Sequence, residues 1–376
     1  MTLDITTTLS ESPRSQADVD AILANPGFGT YFTDHMLTLE WTPDQGWHAG
    51  RITKYGPLSM DPASAVLHYA QETFEGMKAY RHDDGSVWTF RPEQNAQRMA
   101  RSSHRLAFPV LEPDDFVQAV DALVRVDQRW VPQNSSDGAG EKSLYLRPFM
   151  IASEVFLGVR PAQHVTFMVI ASPAGPYFKG GVKPLTLWLT EEYTRAGRGG
   201  MGAAKTGGNY ASSLVAQQEA SAHGCDQVVF LDVAEGRYVE ELGGMNMYFV
   251  YADGHIVTPE TGTILEGITR SAIIELAQQK GYKVEERKFS IDEWRDGLAA
   301  GDITEVFACG TAAVVTPVGT LKWDATTGPG HSTGEVRAPG AEADEAGPLT
   351  MEIRRALVDI QFGRAEDSFG WMHRVC

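Results

Sequence analysis

The stretch GRGGMGAAKTGGNY, Gly197–Tyr210, places a single lysine among small residues. Ala203 and Ala204 precede Lys205, and two glycines follow it before a segment with helical spacing begins at Tyr210. Small neighbours let a bulky group approach the lysine closely. A lysine shielded from water in such a pocket is a nucleophilic amine suited to Schiff-base chemistry, whereas most lysines in glycine-rich loops are simply solvated.

The glycines of this stretch also match two nucleotide-binding patterns, and both interpretations fail. Gly197, Gly199 and Gly202 have the spacing G-x-G-x-x-G, but about seven residues separate them from the preceding predicted strand, and AAKTGG follows instead of a helix. A phosphate-binding loop requires glycine where Ala204 stands, because a Cβ there would crowd the phosphate. The lysine itself is therefore the feature that needs an explanation.

The length of the chain, 376 residues, exceeds the size at which one hydrophobic core usually stops growing, which predicts two domains. Ser172–Pro184 contains three prolines and three glycines and is predicted to be the boundary. We expect an N-terminal extension at 1–26, a small N-terminal α/β domain at 27–174, an interdomain linker at 175–184, and a large C-terminal domain carrying Lys205 at 185–376.

Strands and helices are mixed along the chain without strict alternation, which predicts an α+β (mixed α/β) fold rather than a doubly wound sheet. The first two dozen residues are polar and are predicted to fray. Ala65–Phe74 has helical spacing. Trp323–Pro348 is rich in glycine, alanine, threonine and acids and is predicted to be an exposed loop.

The formal net charge of −17 argues against nucleic acid and anionic membrane surfaces as partners, because no basic surplus exists to neutralise phosphates. The three cysteines have no C-x-x-C spacing, which predicts neither a metal site nor a disulfide framework. The N-terminus lacks a basic patch followed by an apolar segment, and the longest apolar runs are of strand length. We therefore expect a cytoplasmic protein that does not span a membrane.

An enzyme that holds pyridoxal phosphate on a lysine also needs an acid beside the pyridine nitrogen, a cup for the phosphate and a grip on the substrate carboxylate. Glu240 and Glu241 precede an apolar strand and would supply the acid. Gly267 stands at the entrance of a predicted helix, where the N–H groups of Ile268 and Thr269 would face an anion. A solvated acidic turn and an ordinary capped helix are the alternatives.

Two further stretches offer anion contacts. CGTAA, Cys309–Ala313, follows a predicted strand and would present backbone N–H groups together with the hydroxyl of Thr311. Arg147 lies with Tyr145 in the apolar strand SLYLRPF, and a buried arginine needs an anion, which a structural ion pair would also provide. Each signal is modest alone, so the set requires an explanation that covers the whole chain.

The chain resembles the branched-chain amino-acid aminotransferases, which are class IV, fold-type IV pyridoxal-phosphate enzymes with the two-domain fold of D-amino-acid aminotransferase. The resemblance extends from about Gly27 to Met372. The matching stretches, in order, are GFGTYFTDHM, VLHYAQETFEGMKAYR, FRPEQNAQRM, SLYLRPF, SPAGPYFKGG, AAKTGGNYASSL, VEELGGMNMYF, LEGITR, EVFACGTAAVVTP and FGWM.

The resemblance implies a pyridoxal 5′-phosphate site in which Lys205 carries the cofactor as a Schiff base and then shuttles a proton. Tyr210 would hydrogen-bond the phenolic oxygen of the cofactor, and Glu241 would face its pyridine nitrogen. Arg98 would bind the phosphate. The residues implied to assist at the phosphate are Ile268, Thr269 and Thr311, with Arg195 as a further candidate.

The resemblance also implies a substrate pocket. Tyr69 and the backbone of Thr311 and Ala312 would hold the substrate carboxylate, while Arg147 and Tyr145 would help to accept the side-chain carboxylate of glutamate. The residues implied to line an apolar side-chain pocket are Phe28, Phe74, Tyr177 and Met245. Members of the family are at least dimers, so a homodimer is expected.

The implied reaction is a reversible ping-pong transfer of the amino group of L-leucine, L-isoleucine or L-valine to 2-oxoglutarate. A D-amino-acid aminotransferase or an aminodeoxychorismate lyase of the same fold is the first alternative, but GFGTYFTDHM and SLYLRPF favour the branched-chain group. A non-catalytic binding protein that retains the fold is the second alternative, against which Lys205, Glu241 and Arg98 argue.

Overall fold

The computed structural model describes residues 3–134, 140–176, 181–324 and 333–376. The chain forms two compact units, each of which is described by itself. Unit 1 comprises Met1–Tyr177, Ala204–Gly207 and Asp359–Cys376, and unit 2 comprises Phe178–Ala203 and Gly208–Val358. This division differs from the predicted one, which assigned all of 185–376 to the second domain. Residues 177–180 of the predicted linker lie outside the described residues.

Unit 1 contains a mixed β-sheet in which most neighbouring strands are antiparallel. Its order is β1-β3-β2-β8-β7-β5-β6-β18, and β4 also pairs with β7. The strands are β1 (Ile5–Thr7), β2 (His35–Thr42), β3 (Gly46–Lys54), β4 (Glu72–Phe74), β5 (Met77–Arg81), β6 (Val87–Phe90), β7 (Ser143–Ala152), β8 (Val165–Ala174) and β18 (Met372–Arg374). Because β18 pairs with β6, the C-terminal segment belongs to unit 1.

Four α-helices belong to the described part of unit 1. They are α1 (Gln16–Ala24), α2 (Val66–Tyr69), α3 (Pro92–Arg105) and α4 (Pro113–Val126), and α3 and α4 bury the most residues among them. Helix α4 begins with proline and two aspartates, which suit the N-terminal end of a helix, and buries Phe116, Val120 and Leu123 at intervals of three and four. The helix predicted over Ala65–Phe74 is wrong beyond Tyr69, because Ala70 has a φ of 48° and the chain turns into β4.

The prediction that the first two dozen residues fray is wrong. Strand β1 pairs in parallel with β3. The close approach of the two strands requires glycine at position 50, because a Cβ there would lie 2.5 Å from the carbonyl oxygen of Asp4. Helix α1 is capped by Ser15, whose side chain accepts the N–H of Asp18, and Val19 is fully buried. One buried valine and one strand pairing therefore hold a segment that is otherwise polar.

Unit 2 contains a second mixed sheet of order β11-β10-β9-β16-β15-β12-β13-β14, and β17 also pairs with β16. Its strands are β9 (Leu185–Leu189), β10 (Gln227–Leu231), β11 (Val239–Leu242), β12 (Asn246–Tyr251), β13 (Ile256–Pro259), β14 (Val284–Arg287), β15 (Ile303–Gly310), β16 (Val314–Trp323) and β17 (Gly334–Arg337). Phe249, Phe289 and Trp294 pack together in its core, with ring centroids of Phe249 and Phe289 3.7 Å apart.

Helix α5 (Gly207–Ala211) begins at the last residue of the Ala204–Gly207 segment of unit 1 and continues into unit 2. The helices that begin in unit 2 are α6 (Leu214–Ala222), α7 (Ile268–Gln279), α8 (Ile291–Ala300) and α9 (Pro348–Gln361). Helix α9 was not predicted, although Leu349, Ile353 and Leu357 are buried at intervals of four. Its first turn is held by Glu305 of β15, whose carboxylate accepts the N–H groups of Leu349 at 3.0 Å and Thr350 at 2.7 Å.

The predicted loop Trp323–Pro348 is partly wrong. Residues 325–332 lie outside the described residues, but Gly334–Arg337 forms β17 and pairs with β16. The side chain of Trp323 covers Gly334 so closely that a Cβ there would lie 2.5 Å from the indole. A glycine that reads as a loop signal is thus required for packing against tryptophan.

Two mixed sheets with helices confirm the predicted α+β (mixed α/β) class. Within the described parts of the chain, we find no helix that is both long and apolar enough to cross a membrane.

Asp34, which fastens the N-terminal segment, should make stability depend on pH. Burial raises the pKa of this carboxyl, but hydrogen bonds from the Arg14 N–H, Arg129 and Trp130 outweigh burial, so the net pKa is lowered. A lowered folded pKa means that the stabilisation is complete above the unfolded pKa and is lost as pH falls through the folded value. We expect Asp34→Asn to lower the urea midpoint at pH 7 and to differ progressively less from wild type below about pH 4.

The measurement is urea unfolding followed by fluorescence at a series of pH values. Asp20→Asn is the matched control, since Asp20 is exposed on α1. A constant difference between wild type and Asp34→Asn across the acid range would contradict the role of the charged carboxylate.

Candidate active site

The main chain of Lys205 is fixed by unit 1. Its N–H donates to the hydroxyl of Ser102 on α3 at 3.0 Å. Its carbonyl accepts the N–H of Phe74 at 3.0 Å and the hydroxyl of Thr73 at 2.8 Å, both from β4. Lys205 Nζ lies 4.9 Å from the ring centroid of Phe74. Both peptide groups of the lysine are therefore held, which is why Ala204–Gly207 groups with unit 1 although its chain neighbours do not.

Glu72 of β4 holds the two residues that follow the lysine. Its carboxylate accepts the N–H of Gly207 and, at 3.2 Å, the hydroxyl of Thr206, which is fully buried. A Cβ at position 207 would lie 2.6 Å from this carboxylate, so glycine is needed there. Burial raises the pKa of Glu72, although these two hydrogen bonds and the charge of Arg147 act in the opposite direction.

Arg98 lies on the buried face of α3 and forms a two-pronged ion pair with Glu75. Its Nε donates to Oε1 at 2.8 Å and its Nη2 to Oε2 at 2.7 Å, while Asn95 also donates to Oε2 at 2.8 Å. Such a pair fixes the plane of the guanidinium. The ion pair with Glu75 therefore accounts for the Nε–H and one Nη2–H of the Arg98 guanidinium.

Four residues predicted to bind substrate lie together in unit 1. The guanidinium carbon of Arg147 is 4.7 Å from the ring centroid of Phe74 and 5.4 Å from that of Tyr145. Arg147 Nη2 donates to the Tyr145 hydroxyl at 3.1 Å, and the ring of Phe28 meets that of Tyr145 edge-on at 5.1 Å. In the described part of the chain, Arg147 Nε is buried and has no hydrogen-bond partner. The group joins an apolar surface to an available cation.

Two other predicted substrate residues are placed differently. Tyr69 ends α2, is 41% exposed, and donates its hydroxyl to the carbonyl of Leu157. The chain itself thus does not bury the side chain that was predicted to hold the substrate carboxylate. Tyr177 lies outside the described residues.

In unit 2, Glu241 forms a buried ion pair. Its Oε1 accepts the N–H of Leu265 at 2.8 Å, and its Oε2 lies 3.1 Å from Nη2 of Arg195. Arg195 is 5% exposed, and its Nε and Nη1 find no hydrogen-bond partner among the residues that the structure describes. The neighbouring Glu240 accepts the hydroxyl of Thr263, and burial raises its pKa. Buried donors without partners are costly, so Arg195 marks a place where an acceptor belongs.

Helix α7 begins close to Glu241, because Leu265, which donates to Glu241, lies just before the helix. Its N-cap is Gly267, with a φ of −72°, so the first N–H groups, at Ile268 and Thr269, lack partners within the helix. A Cβ on Gly267 would lie 2.1 Å from the side-chain amide oxygen of Asn246. The side-chain Nδ2 of Asn246 donates to the carbonyl of Leu265 at 3.2 Å. Glycine thus lets the helix start against β12, and the helix dipole favours an anion there.

Strand pairing brings the remaining predicted residues of unit 2 close to the start of α7. Asn246 of β12 pairs with Cys309 of β15, so the turn at Thr311 and Ala312 begins beside Met245, whose Cγ would lie 3.4 Å from a Cβ on Gly310. The ring of Tyr210 is placed similarly, 3.1 Å from a Cβ built on Gly244. Glu241, Met245, α7 and the turn are therefore neighbours within unit 2.

The sequence model of the family described as Amino-transferase class IV matches residues 72–321. This chain belongs to the class IV aminotransferases. The match runs from Glu72, beside the lysine segment, to the end of the strand that follows the Thr311 turn, and so includes most of the residues described above.

Relatives and solved structures place the chain more finely among these aminotransferases. It is 56% identical to a probable branched-chain-amino-acid aminotransferase of Streptomyces coelicolor over 97% of both chains. It is 51% identical to the branched-chain-amino-acid aminotransferase of Mycolicibacterium smegmatis, covering 99% of this chain and 98% of that one. The crystal structure of the Escherichia coli branched-chain enzyme is 29% identical, with a TM-score of 0.71, and covers 90% of this chain and 99% of that chain.

Another crystal structure of a branched-chain amino acid aminotransferase, determined with pyridoxamine 5′-phosphate, matches with a TM-score of 0.70 at 29% identity, over 90% of this chain and 98% of that one. These matches confirm the resemblance that the sequence stretches predicted.

Three residues around the lysine were not predicted from the sequence: Glu72, Thr73 and Ser102. They act by hydrogen-bonding the main chain of a segment more than a hundred positions away, at separations of 103 residues for Ser102 and 132 for Thr73. A short-range pattern cannot contain such a contact. The start of a helix at Gly267, by contrast, was predicted from the local sequence LEGITR.

Gly267 offers a test of the α7 N-terminus. We expect Gly267→Ala to weaken pyridoxal phosphate binding by about tenfold or more, because the new Cβ would push α7 away from Asn246 and disturb its first N–H groups. Gly262→Ala is the matched control, since a Cβ there would meet nothing within 4 Å. Affinity is measured by titrating the apo-protein with the cofactor. Equal affinities for both variants would show that α7 does not contact the phosphate.

Proposed function

We propose that the protein is a branched-chain-amino-acid aminotransferase that moves the amino group of L-leucine, L-isoleucine or L-valine to 2-oxoglutarate with pyridoxal 5′-phosphate. The observation that carries the proposal is Lys205, whose main chain is hydrogen-bonded on both sides by unit 1 while its side chain lies over an aromatic ring. Relatives that match the whole chain at 48–56% identity bear the same activity in their names.

The residues present fit this cofactor. It carries a phosphate, a pyridine nitrogen and an aldehyde, and when bound it accepts electrons from the substrate Cα and carries the amino group between substrates. The N–H groups of Ile268 and Thr269, together with Thr311, suit the phosphate. The guanidinium of Arg195, whose Nε and Nη1 have no hydrogen-bond acceptor among the described residues, adds positive charge beside Glu241. Glu241, a buried carboxylate, suits a protonated pyridine nitrogen.

The roles of the chain's own groups follow from their chemistry. Lys205 Nζ would attach the cofactor and, once released by the incoming amino acid, take the proton from the substrate Cα and deliver it to the carbon that receives the amino group. Tyr210 would donate to the phenolic oxygen and Arg98 would add a fixed charge for the phosphate. The bonds from Ser102, Thr73 and Glu72 keep the lysine's main chain still while its amine moves.

The substrate pocket would accept both an aliphatic and an acidic side chain. Phe28, Phe74 and Tyr145 of unit 1 would present ring faces and edges to a leucine side chain. The family resemblance adds Met245 as a further apolar residue. The Arg147 guanidinium, stacked on the same rings, would pair with the side-chain carboxylate of glutamate. We assign the substrate α-carboxylate to the Thr311–Ala312 turn and Tyr69, and an apolar covering role to Tyr177.

Lys205→Ala tests the reaction. We expect glutamate formation from L-leucine and 2-oxoglutarate to fall about a hundredfold or more, because both the attachment point and the proton carrier are lost. Lys183→Ala, an exposed lysine paired with Asp344, is the control. Turnover and cofactor absorbance unchanged in Lys205→Ala would refute the proposal. A panel of L-leucine against D-alanine as donors distinguishes the D-amino-acid aminotransferase alternative.

We propose further that the protein is a homodimer and acts in the cytoplasm, where its free cysteines stay reduced. Apolar side chains of α2 and of the loop after β7 support the dimer: Leu67 and Leu157 are largely exposed, and Val159 is 86% exposed. Contiguous exposed apolar residues are typical of interaction surfaces. The exposed Tyr69 lies in this surface, so a second copy would bury it.

Val159→Asp should shift the protein from dimer to monomer, because a charge would be buried in the interface. Sedimentation velocity at several concentrations measures the change. Leu9→Asp, at a residue that is also well exposed, is the control and should leave the dimer intact. A Val159→Asp protein that remains dimeric would place the interface elsewhere.

A further inference from the structure

We infer that Arg354 of helix α9 is a positioning residue for substrate binding: it holds the Thr311–Ala313 turn in the conformation that grips the substrate α-carboxylate. The inference rests on the proposed function of that turn. Arg354 is 6% exposed, and its Nη1 donates to the carbonyl of Ala313 at 3.1 Å and to that of Val315 at 3.2 Å.

The turn needs holding because its backbone is strained. Residues 311–313 connect β15 to β16, with Gly310 paired to Val314. The first residue after this connection, Val314, has a φ of 62°, in the left-handed region where glycine is usual. A β-branched residue in this region is a true outlier, and such strain persists only where the surroundings fix it.

Arg354 binds two peptide groups on either side of the strained residue, one directly before Val314 and one directly after Val315. The carbonyl of Ala313 shares a planar trans peptide with the N–H of Val314, and the carbonyl of Val315 shares one with the N–H of Thr316. A single guanidinium nitrogen that binds both carbonyls therefore sets the direction of both peptides. These two bonds hold the chain on both sides of Val314, and through it the preceding N–H groups at Thr311 and Ala312.

Helix α9 is locked in register with the strand that leads into the turn. Glu305 of β15 accepts the N–H groups of Leu349 and Thr350 and the hydroxyl of Thr350, the last at 2.7 Å. A Cβ on Gly347 would lie 2.1 Å from the Glu305 carboxylate, so the helix begins in direct contact with β15. Strand β15 thus anchors the start of α9 through Glu305, and Arg354 of α9 bonds the turn that follows β15.

The chemistry of the proposed site favours an arginine that binds the backbone over one that binds the substrate. An arginine that bound the substrate carboxylate directly would also attract the side-chain carboxylate of glutamate. Arg354 donates to backbone carbonyls, and in this arrangement neutral N–H groups of the turn would hold the α-carboxylate. Arg354 would therefore affect affinity for every substrate through the shared α-carboxylate, and not the choice between leucine and glutamate.

The test compares Arg354→Met, which keeps the aliphatic stem, with Arg354→Lys and with Arg355→Met, which makes the same change at the exposed neighbour on α9. In the holoenzyme, we expect Arg354→Met to raise the Kd of the probe 4-methylvaleric acid and the KM for leucine about tenfold, with kcat and the affinity for the cofactor changed less than about threefold. The ratio of KM values for leucine and glutamate should stay constant. Arg354→Lys should restore part of the affinity, and Arg355→Met should match wild type.

A second measurement does not depend on the proposed reaction. Amide hydrogen exchange in residues 311–316 should speed up in Arg354→Met and stay at the wild-type rate in Arg355→Met. If wild type neither turns over leucine nor binds the probe, the proposed function fails, while the exchange data still decide whether Arg354 holds the turn. If Arg354→Met does not fold, Arg354→Lys takes its place in both measurements.

Two results would overturn the inference. One is a folded Arg354→Met protein whose Kd for the probe, KM for leucine and exchange at 311–316 all equal those of wild type. The other is a loss of cofactor affinity as large as the loss of probe affinity while exchange at 311–316 stays at the wild-type rate, because this would indicate damage elsewhere in unit 2 instead of a displaced turn.

Discussion

The position of one peptide segment, Ala204–Gly207, governs how the proposed chemistry can work. Four side-chain or main-chain groups of α3 and β4 bind it: the Ser102 hydroxyl, the Thr73 hydroxyl, the Phe74 N–H and the Glu72 carboxylate. Each bond alone contributes about 1 kcal/mol. Together they fix the direction in which the Lys205 side chain leaves the backbone, which matters because an amine that attaches a cofactor and moves a proton must reach both from one anchor.

In unit 2, the same precision comes from sheet register. The pairing of Asn246 with Cys309 determines where α7 begins, since Asn246 touches Gly267, and where the Thr311 turn begins, one residue beyond Gly310. A slip of one residue would turn Asn246 away from Gly267 and move both anion-binding features at once. The strand pairing therefore sets where both sets of backbone N–H groups begin, and Arg354 then holds the turn.

The sequence revealed what local pattern can encode and missed what depends on distant packing. LEGITR predicted the start of a helix at Gly267, because an N-cap is a local signal. The small residues around Lys205 indicated a lysine suited to Schiff-base chemistry. The N-terminal segment looked frayed because its one buried residue, Val19, carries almost no periodic signal. Helix α9 was overlooked although its apolar residues have helical spacing, and its role depends on Glu305, which lies 44 positions before Leu349.

Local costs gather around the proposed site, and each has a structural reason. Burial raises the pKa of Glu72, so keeping that group ionised works against folding, yet only a carboxylate can accept from both Thr206 and Gly207 at once with charge-assisted strength. Val314 occupies a backbone region that costs on the order of 1–3 kcal/mol for such residues. The proposed function gives a reason for both costs, because Glu72 holds the segment of Lys205 in unit 1 and Val314 follows the turn assigned to the substrate carboxylate in unit 2.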